Sequence, residues 1–159
     1  MSEQAEFFKD LAELAFGRLE RATKELTEKE IDWRPLEEAN SIRWILTHLS
    51  RICNVGFPRI FRGDPDYTPA GWPDDYGSTS ISLEEVMGDL ETGKTALMSG
   101  LGELTTADLE AEIPLWGGTR TRSFALMAYL SEIIHHGGQI AYLKGAIGRR
   151  RETDEHFLL

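Results

Sequence analysis

A chain of 159 residues, 41% hydrophobic and 28% charged, has the size and make-up of one folded domain that buries its core without covalent staples. Its 27 acidic and 17 basic residues leave a net charge of −10, which disfavours nucleic acid as a partner because phosphate binding rests on Lys and Arg. No apolar run approaches the roughly 20 residues of a membrane span, Met1 opens a polar, acidic segment, and the lone Cys53 excludes an intrachain disulfide, so a cytoplasmic protein with no membrane partner is expected.

From Glu3 to about Ala22, Phe7, Phe8, Leu11, Leu14, Ala15, Leu19 and Ala22 recur at helical spacing with charges between them, which predicts a first amphipathic helix. An exposed part of that stripe is a candidate dimer face, although periodicity alone does not establish one. Thr27 and Glu30 are spaced as a capping box for one short turn, halted by Trp33 and Pro35. Asn40 or Ser41 then caps a second helix from Ile42 to about Val55, whose apolar face carries Ile42, Ile45, Leu46, Leu49, Ile52, Cys53 and, among them, His48. A histidine in such a place is ordinarily a core residue hydrogen-bonded to a carbonyl or carboxylate.

Residues 57–81 change character, with Pro58, Pro65, Pro69 and Pro73 among Gly, Asp and the aromatics Phe61, Tyr67, Trp72 and Tyr76. The segment reads as a long crossover pinned by its aromatics, as a cover over an active site, or as both. Ser82 and Glu85 form a second capping box and open a third helix through Val86, Leu90, Leu97 and Leu101; its Gly88, Gly93 and Gly100 imply close packing. Leu104 to Leu109 echoes Leu26 to Ile31, each after a long helix and before a proline, a weak internal repeat. Pro114 and Gly117-Gly118 mark a turn or tiny hairpin, and a fourth helix starts near Thr121 and runs to about Gly148. Arg149-Arg150-Arg151 suits the negative end of that helix's dipole, the polar tail 149–159 is expected to fray, and His156 is read as solvated. The whole is an all-α chain, a single-domain four-helix bundle over 1–159 with its core at about 5–146 and a long crossover between helices two and three.

The chemistry centres on the fourth helix. Glu132 and His136 lie four residues apart, which stacks them on one face with about 5–6 Å between β-carbons. That face, Ala125, Ala128/Tyr129, Glu132, His136, Ile140 and Leu143, reads as pointing into a core, where an ionised Glu has to be paired or metal-bound. With His48 from helix two it makes a two-His-one-Glu set with open coordination positions, suited to zinc or iron(II) and open to nickel. His135 points about 100° away from His136 and is read as exposed; Gly137 and Gly138 permit close approach of another backbone, and the Gln139 amide can orient a neighbour. Arg43, Arg51, Asp64, Asp66, Tyr67 and Tyr76 are candidates for an acid, a base or an anion clamp, with Arg51 read as a solvated or ion-paired helix residue.

Three segments in order, Leu26-Thr-x-x-x-Ile-x-Trp-x-Pro35, Asn40-Ser-Ile-Arg-Trp-Ile-Leu-Thr-His48 and His136-Gly-Gly-Gln-Ile140, resemble the signatures of the DinB/YfiT-like superfamily over about residues 5–146. The resemblance implies a commonly dimeric bundle that binds a divalent metal, usually zinc or nickel, through one His of helix two and two residues of helix four, here His48, Glu132 and His136. It also implies chemistry like that of relatives that transfer or use low-molecular-weight thiols such as bacillithiol or mycothiol, the mycothiol-dependent maleylpyruvate isomerases included. Many relatives carry a third His where this chain has Glu132, which makes a bound ion a weaker Lewis acid. The expectation is therefore a divalent-metal protein, a thiol S-transferase or hydrolase of a small molecule, with no catalytic residue assigned. The alternative is a non-catalytic metal-binding or structural bundle.

Overall fold

Ser2 Oγ accepts the Ala5 N–H and acidic Glu3 and Glu6 fill the first turn, so the chain enters α1 (Glu3–Thr23) at once. Ala5, Phe8, Ala12, Ala15, Phe16, Leu19 and Ala22 form its buried face at spacings of three and four. In this computed structural model, which describes residues 2–77 and 81–159, the capping box expected at Thr27 and Glu30 starts α2 (Glu28–Ile31). Ser41 then caps α3 (Ile42–Arg51) by accepting the Trp44 N–H.

The second helix does not stop where the sequence suggests. It passes through a π turn, Ile52–Gly56, and continues as α4 (Phe57–Arg62) until Gly63 ends it in the left-handed conformation at φ +65. Pro58 is the reason for the misreading. It lacks an N–H and would clash with a carbonyl inside an α-helix, but here it follows a wider turn in which the Phe57 N–H reaches back five residues to the Ile52 carbonyl. The long loop therefore begins at Gly63, not at residue 57, and residues 78–80 of it lie outside the described residues.

The rest of that loop is tied down. Arg59 Nε donates to the Tyr67 carbonyl at 2.7 Å, the Arg62 guanidinium covers the Tyr67 ring at 4.1 Å, and Trp72 lies against Tyr76 at 4.2 Å. The Tyr76 hydroxyl shares a hydrogen bond with Ser50 Oγ at 2.7 Å and one with Asp89 Oδ2 at 2.8 Å. The second capping box starts α5 (Leu83–Glu103), and a third, Thr105 with Asp108, starts α6 (Thr106–Glu110), so the two echoing sequences do form matching capped turns after long helices. The hairpin is real: β1 (Glu112–Leu115) pairs antiparallel with β2 (Gly118–Thr121) around Trp116 and Gly117, both at positive φ. Thr121 then caps α7 (Arg122–Arg151).

The class is all-α apart from that hairpin. α1 packs on α5 and α7, and α3 packs on the same two, so the four long helical segments are neighbours in a ring around Leu46, Leu49, Leu97, Leu126 and Leu130. Among the described residues no helix is long and apolar enough to cross a membrane.

The end of the chain departs from expectation. α7 continues to Arg151, whose guanidinium donates to the buried Glu30 carboxylate at 2.7 Å and to the carbonyls of Phe157 and Leu158. Phe157 sits edge-on to Trp33 at 5.8 Å and under Arg150 at 4.6 Å. Arg150 and Arg151 therefore fasten the tail to α2 in addition to answering the helix dipole; His156 is exposed, as expected.

Candidate metal centre

Where α3 packs on α7, it brings His48 to the pair Glu132 and His136. Glu132 Oε2 lies 3.2 Å from His136 Nε2 and 3.9 Å from His48 Nε2, and the two imidazoles meet edge to face at 4.8 Å. One ligand atom from each residue falls within 4.8 Å of the others. Two donors on a tetrahedral ion with bonds of about 2.1 Å stand about 3.4 Å apart, so Glu132 and His136 are close to that spacing, while His48 stands farther off, 3.9 Å from Glu132.

Burial grades across the three. The His136 side chain is 10% exposed, His48 35% and Glu132 44%. The centre of α7's buried face runs through Leu126, Leu130, Ile133, Gly137 and Ile140, and Glu132 stands at its margin. This corrects the expectation that Glu132 points into the core: water reaches the carboxylate, and no buried charge demands compensation. Burial, with His136 adding to it, holds the His48 imidazole below its ordinary pKa, so the ring is a neutral donor at pH 7.

Two further contacts orient the rings. His136 Nδ1–H donates to Gln139 Oε1 at 2.8 Å, and Gln139 Nε2 in turn donates to His135 Nε2 at 3.1 Å. The bond to the amide oxygen fixes the Nδ1–H tautomer of neutral His136 and leaves Nε2 to face Glu132. Trp44 stacks on His48 at 5.3 Å and nearly parallel. Both partners were open to sequence reasoning, Gln139 three residues after His136 and Trp44 four before His48, since each is a helical neighbour. His135 is exposed, as expected, and reaches the site through Gln139 and through an edge-to-face contact with the His136 ring at 5.1 Å. Gly137 abuts the Leu19 backbone of α1, whereas Gly138 faces open space.

An open cleft of about 350 Å³ begins at His48 and Glu132 and is walled by Arg51, Ile52, Val55, Gly56, Arg59 and Tyr129. The π turn shapes it, because Ile52, Val55 and Gly56 all belong to that turn. Tyr76 lines a smaller adjoining hollow of about 170 Å³ with Trp44, His48 and Arg51. Its phenol, raised above the usual pKa by burial, stays protonated. Arg51 is brought to the cleft and makes no ion pair among the described residues; Arg59 also lines it and escaped sequence reasoning because Pro58 hid its helix.

Other candidates are engaged elsewhere. Arg43 forks onto Asp32 at 2.6 and 2.9 Å, reaches Glu28 at 2.8 Å, and donates to the Ile81 carbonyl. Asp64 accepts the Asp66 N–H in a turn, and Tyr67 holds Arg59 and Arg62. None of these four lines the cleft. Cys53 is buried and its thiol is pushed up to about 12, so it is no nucleophile at neutral pH.

Comparison with known proteins places the chain in a family. A sequence model of the DinB superfamily matches residues 11–140. A crystal structure of a conserved protein from Enterococcus faecalis superposes with a TM-score of 0.66 at 15% identity, covering 90% of this chain and 96% of that one, a likeness of fold. No curated protein matches in sequence.

Proposed function

Because the chain belongs to the DinB superfamily, we propose that His48, Glu132 and His136 hold one divalent ion, zinc or nickel with iron(II) as a further fit, in a metal-dependent enzyme acting on a small molecule. The observation that carries the reading is the Gln139 bond. In neutral His136 it turns a bare Nε2 lone pair towards a carboxylate oxygen 3.2 Å away, and two lone pairs at that distance call for a cation between them.

An ion held there would lower the pKa of a thiol or water, supplying a nucleophile near neutral pH. The chain's own part is positional. Gln139 and Trp44 hold the two imidazoles, Glu132 offers an oxygen and offsets charge, and Ile52, Val55 and Tyr129 give the cleft an apolar wall for the reacting partner. Transfer of a low-molecular-weight thiol to an electrophile, or hydrolysis, is the reaction class proposed. The assembly proposed is a cytoplasmic homodimer, supported by Phe7 and Leu14 exposed seven residues apart on α1.

A second reading rests on the same 3.2 Å contact. If His136 is doubly protonated, a proton replaces the metal and the trio is an ion-pair network in a non-catalytic bundle. Elemental analysis of protein purified without chelators separates the two. About one equivalent of metal, lost in His48→Ala and His136→Ala while helicity persists, supports the enzyme and justifies assaying thiol transfer. Metal content that is nil, or unchanged in both variants, removes the assignment.

A further inference from the structure

Two guanidinium groups, Arg51 and Arg59, wall the cleft at which His48 and Glu132 stand. Neither has a carboxylate within ion-pair distance among the described residues, although the chain carries ten more acids than bases, 27 against 17. The neighbouring Arg43 shows the contrast, since it saturates Asp32 and Glu28. Glu132 is the one acid among the residues that line the cleft, and it is turned to the two histidines.

The two arginines differ in a useful way. Arg59 is held in place, Nε on the Tyr67 carbonyl at 2.7 Å and Nη2 near Thr68 Oγ1 at 3.5 Å, which leaves Nη1 with no acceptor among the described residues. The Arg51 side chain makes no hydrogen bond or ion pair among the described residues and is exposed on the last turn of α3, one turn beyond His48. The rest of the cleft wall is largely apolar, made by Ile52, Val55, Gly56 and Tyr129. A guanidinium fork matches the planar oxygens of a carboxylate or the oxygens of a phosphate, and like charges sharing one cleft favour an anion between them.

We propose that the cleft binds a small oxyanion with a short apolar body, its carboxylate or phosphate held by Arg51 and Arg59 and its other end directed at His48 and Glu132. At about 350 Å³ the space suits a ligand of one ring or a short chain, at the small end of ligand sites. This rests on the reading of the cleft as the substrate site, and not on which ion, if any, the trio holds.

The test is calorimetric titration of 3-phenylpropionate, phenyl phosphate and the uncharged 3-phenylpropionamide into the protein as purified, into Arg51→Gln and Arg59→Gln, and into His48→Ala. At least one anion should bind, the amide about tenfold or more weaker, and Arg51→Gln should remove about tenfold of the anion's affinity while leaving the amide unchanged. The preferred anion tells carboxylate from phosphate. Anion binding should persist in His48→Ala, and since the Arg51 side chain has no partner to lose among the described residues, Arg51→Gln should fold normally.

Equal binding of anion and amide, no binding of either anion up to millimolar concentration, or unaltered anion affinity in both arginine variants would overturn the clamp. Anion binding lost only with His48→Ala would assign the ligand to the ion and also overturn it. Protein devoid of metal that still binds the anion through Arg51 would leave the clamp standing and remove the metal reading alone.

Discussion

Gly93→Ala should destabilise the protein by about 2–3 kcal/mol even though alanine is the better helix former. A β-carbon at position 93 would lie 2.5 Å from Cys53 Cβ, 3.0 Å from the Cys53 carbonyl carbon and 3.1 Å from Asn54 Nδ2. Ordinary carbon contacts are about 3.5–4.0 Å, so the overlap is near 1 Å at its worst and falls on Cys53 Cβ and the Cys53 carbonyl carbon, atoms that no rotamer change can move. α5 has to draw back from the π turn, which strains the Asn54 amide bonded to the Ser50 carbonyl at 3.0 Å and the Asp89 carbonyl at 2.9 Å. Overpacking costs about 1–3 kcal/mol, a weakened buried hydrogen bond about 1 kcal/mol more, and the helical gain returns up to about 1 kcal/mol. For a domain of this size the fall in Tm is roughly 5–10 °C. Circular dichroism on heating and in urea reads it, with Gly88→Ala as the control, because nothing lies within 4 Å of a β-carbon there and that variant should gain stability. A Gly93→Ala protein as stable as Gly88→Ala would refute the close-approach argument and with it the packing that shapes the cleft.

Gln139→Leu should leave the helix intact and weaken zinc or nickel binding by about 10- to 100-fold in chelator competition; wild-type affinity would mean the amide does not hold His136. Arg151→Ala strands a Glu30 side chain that is 5% exposed and should cost about 2–4 kcal/mol in urea denaturation, with the tail released to proteolysis. The Arg43 guanidinium holds the Asp32 carboxyl below its usual 3.8, so the stability this adds is fully present above that value and vanishes as pH falls through the lower folded-state pKa. Asp32→Asn should therefore lag wild type at neutral pH by no more than about 1 kcal/mol, Asp32 being 61% exposed, and match it in strong acid. A gap that widens on acidification would contradict the pairing.

The helical class and most boundaries were legible because capping residues announce them: Thr27 with Glu30, Ser41, Ser82 with Glu85 and Thr121 each sit where expected. What escaped depends on information a local pattern does not hold. Pro58 reads as a stop because the hydrogen-bond register that absorbs it, a π turn, leaves no periodic trace. The tail reads as loose because Arg151 meets Glu30 only across 121 positions of chain. The trio His48, Glu132 and His136 follows from helical spacing plus the packing of two helices, but Glu132 lies 44% exposed at the margin of its face, a difference that a spacing pattern does not resolve.

The central claim is an ion shared by three side chains. An anomalous difference map from crystals of metal-replete protein, collected at the zinc or nickel edge, reads it directly. The account predicts a single peak about 2.0–2.2 Å from an imidazole nitrogen of His48, from Nε2 of His136 and from an oxygen of Glu132. A peak elsewhere, or full occupancy of the His136–Glu132 contact with no anomalous scatterer after soaking in either metal, would contradict it.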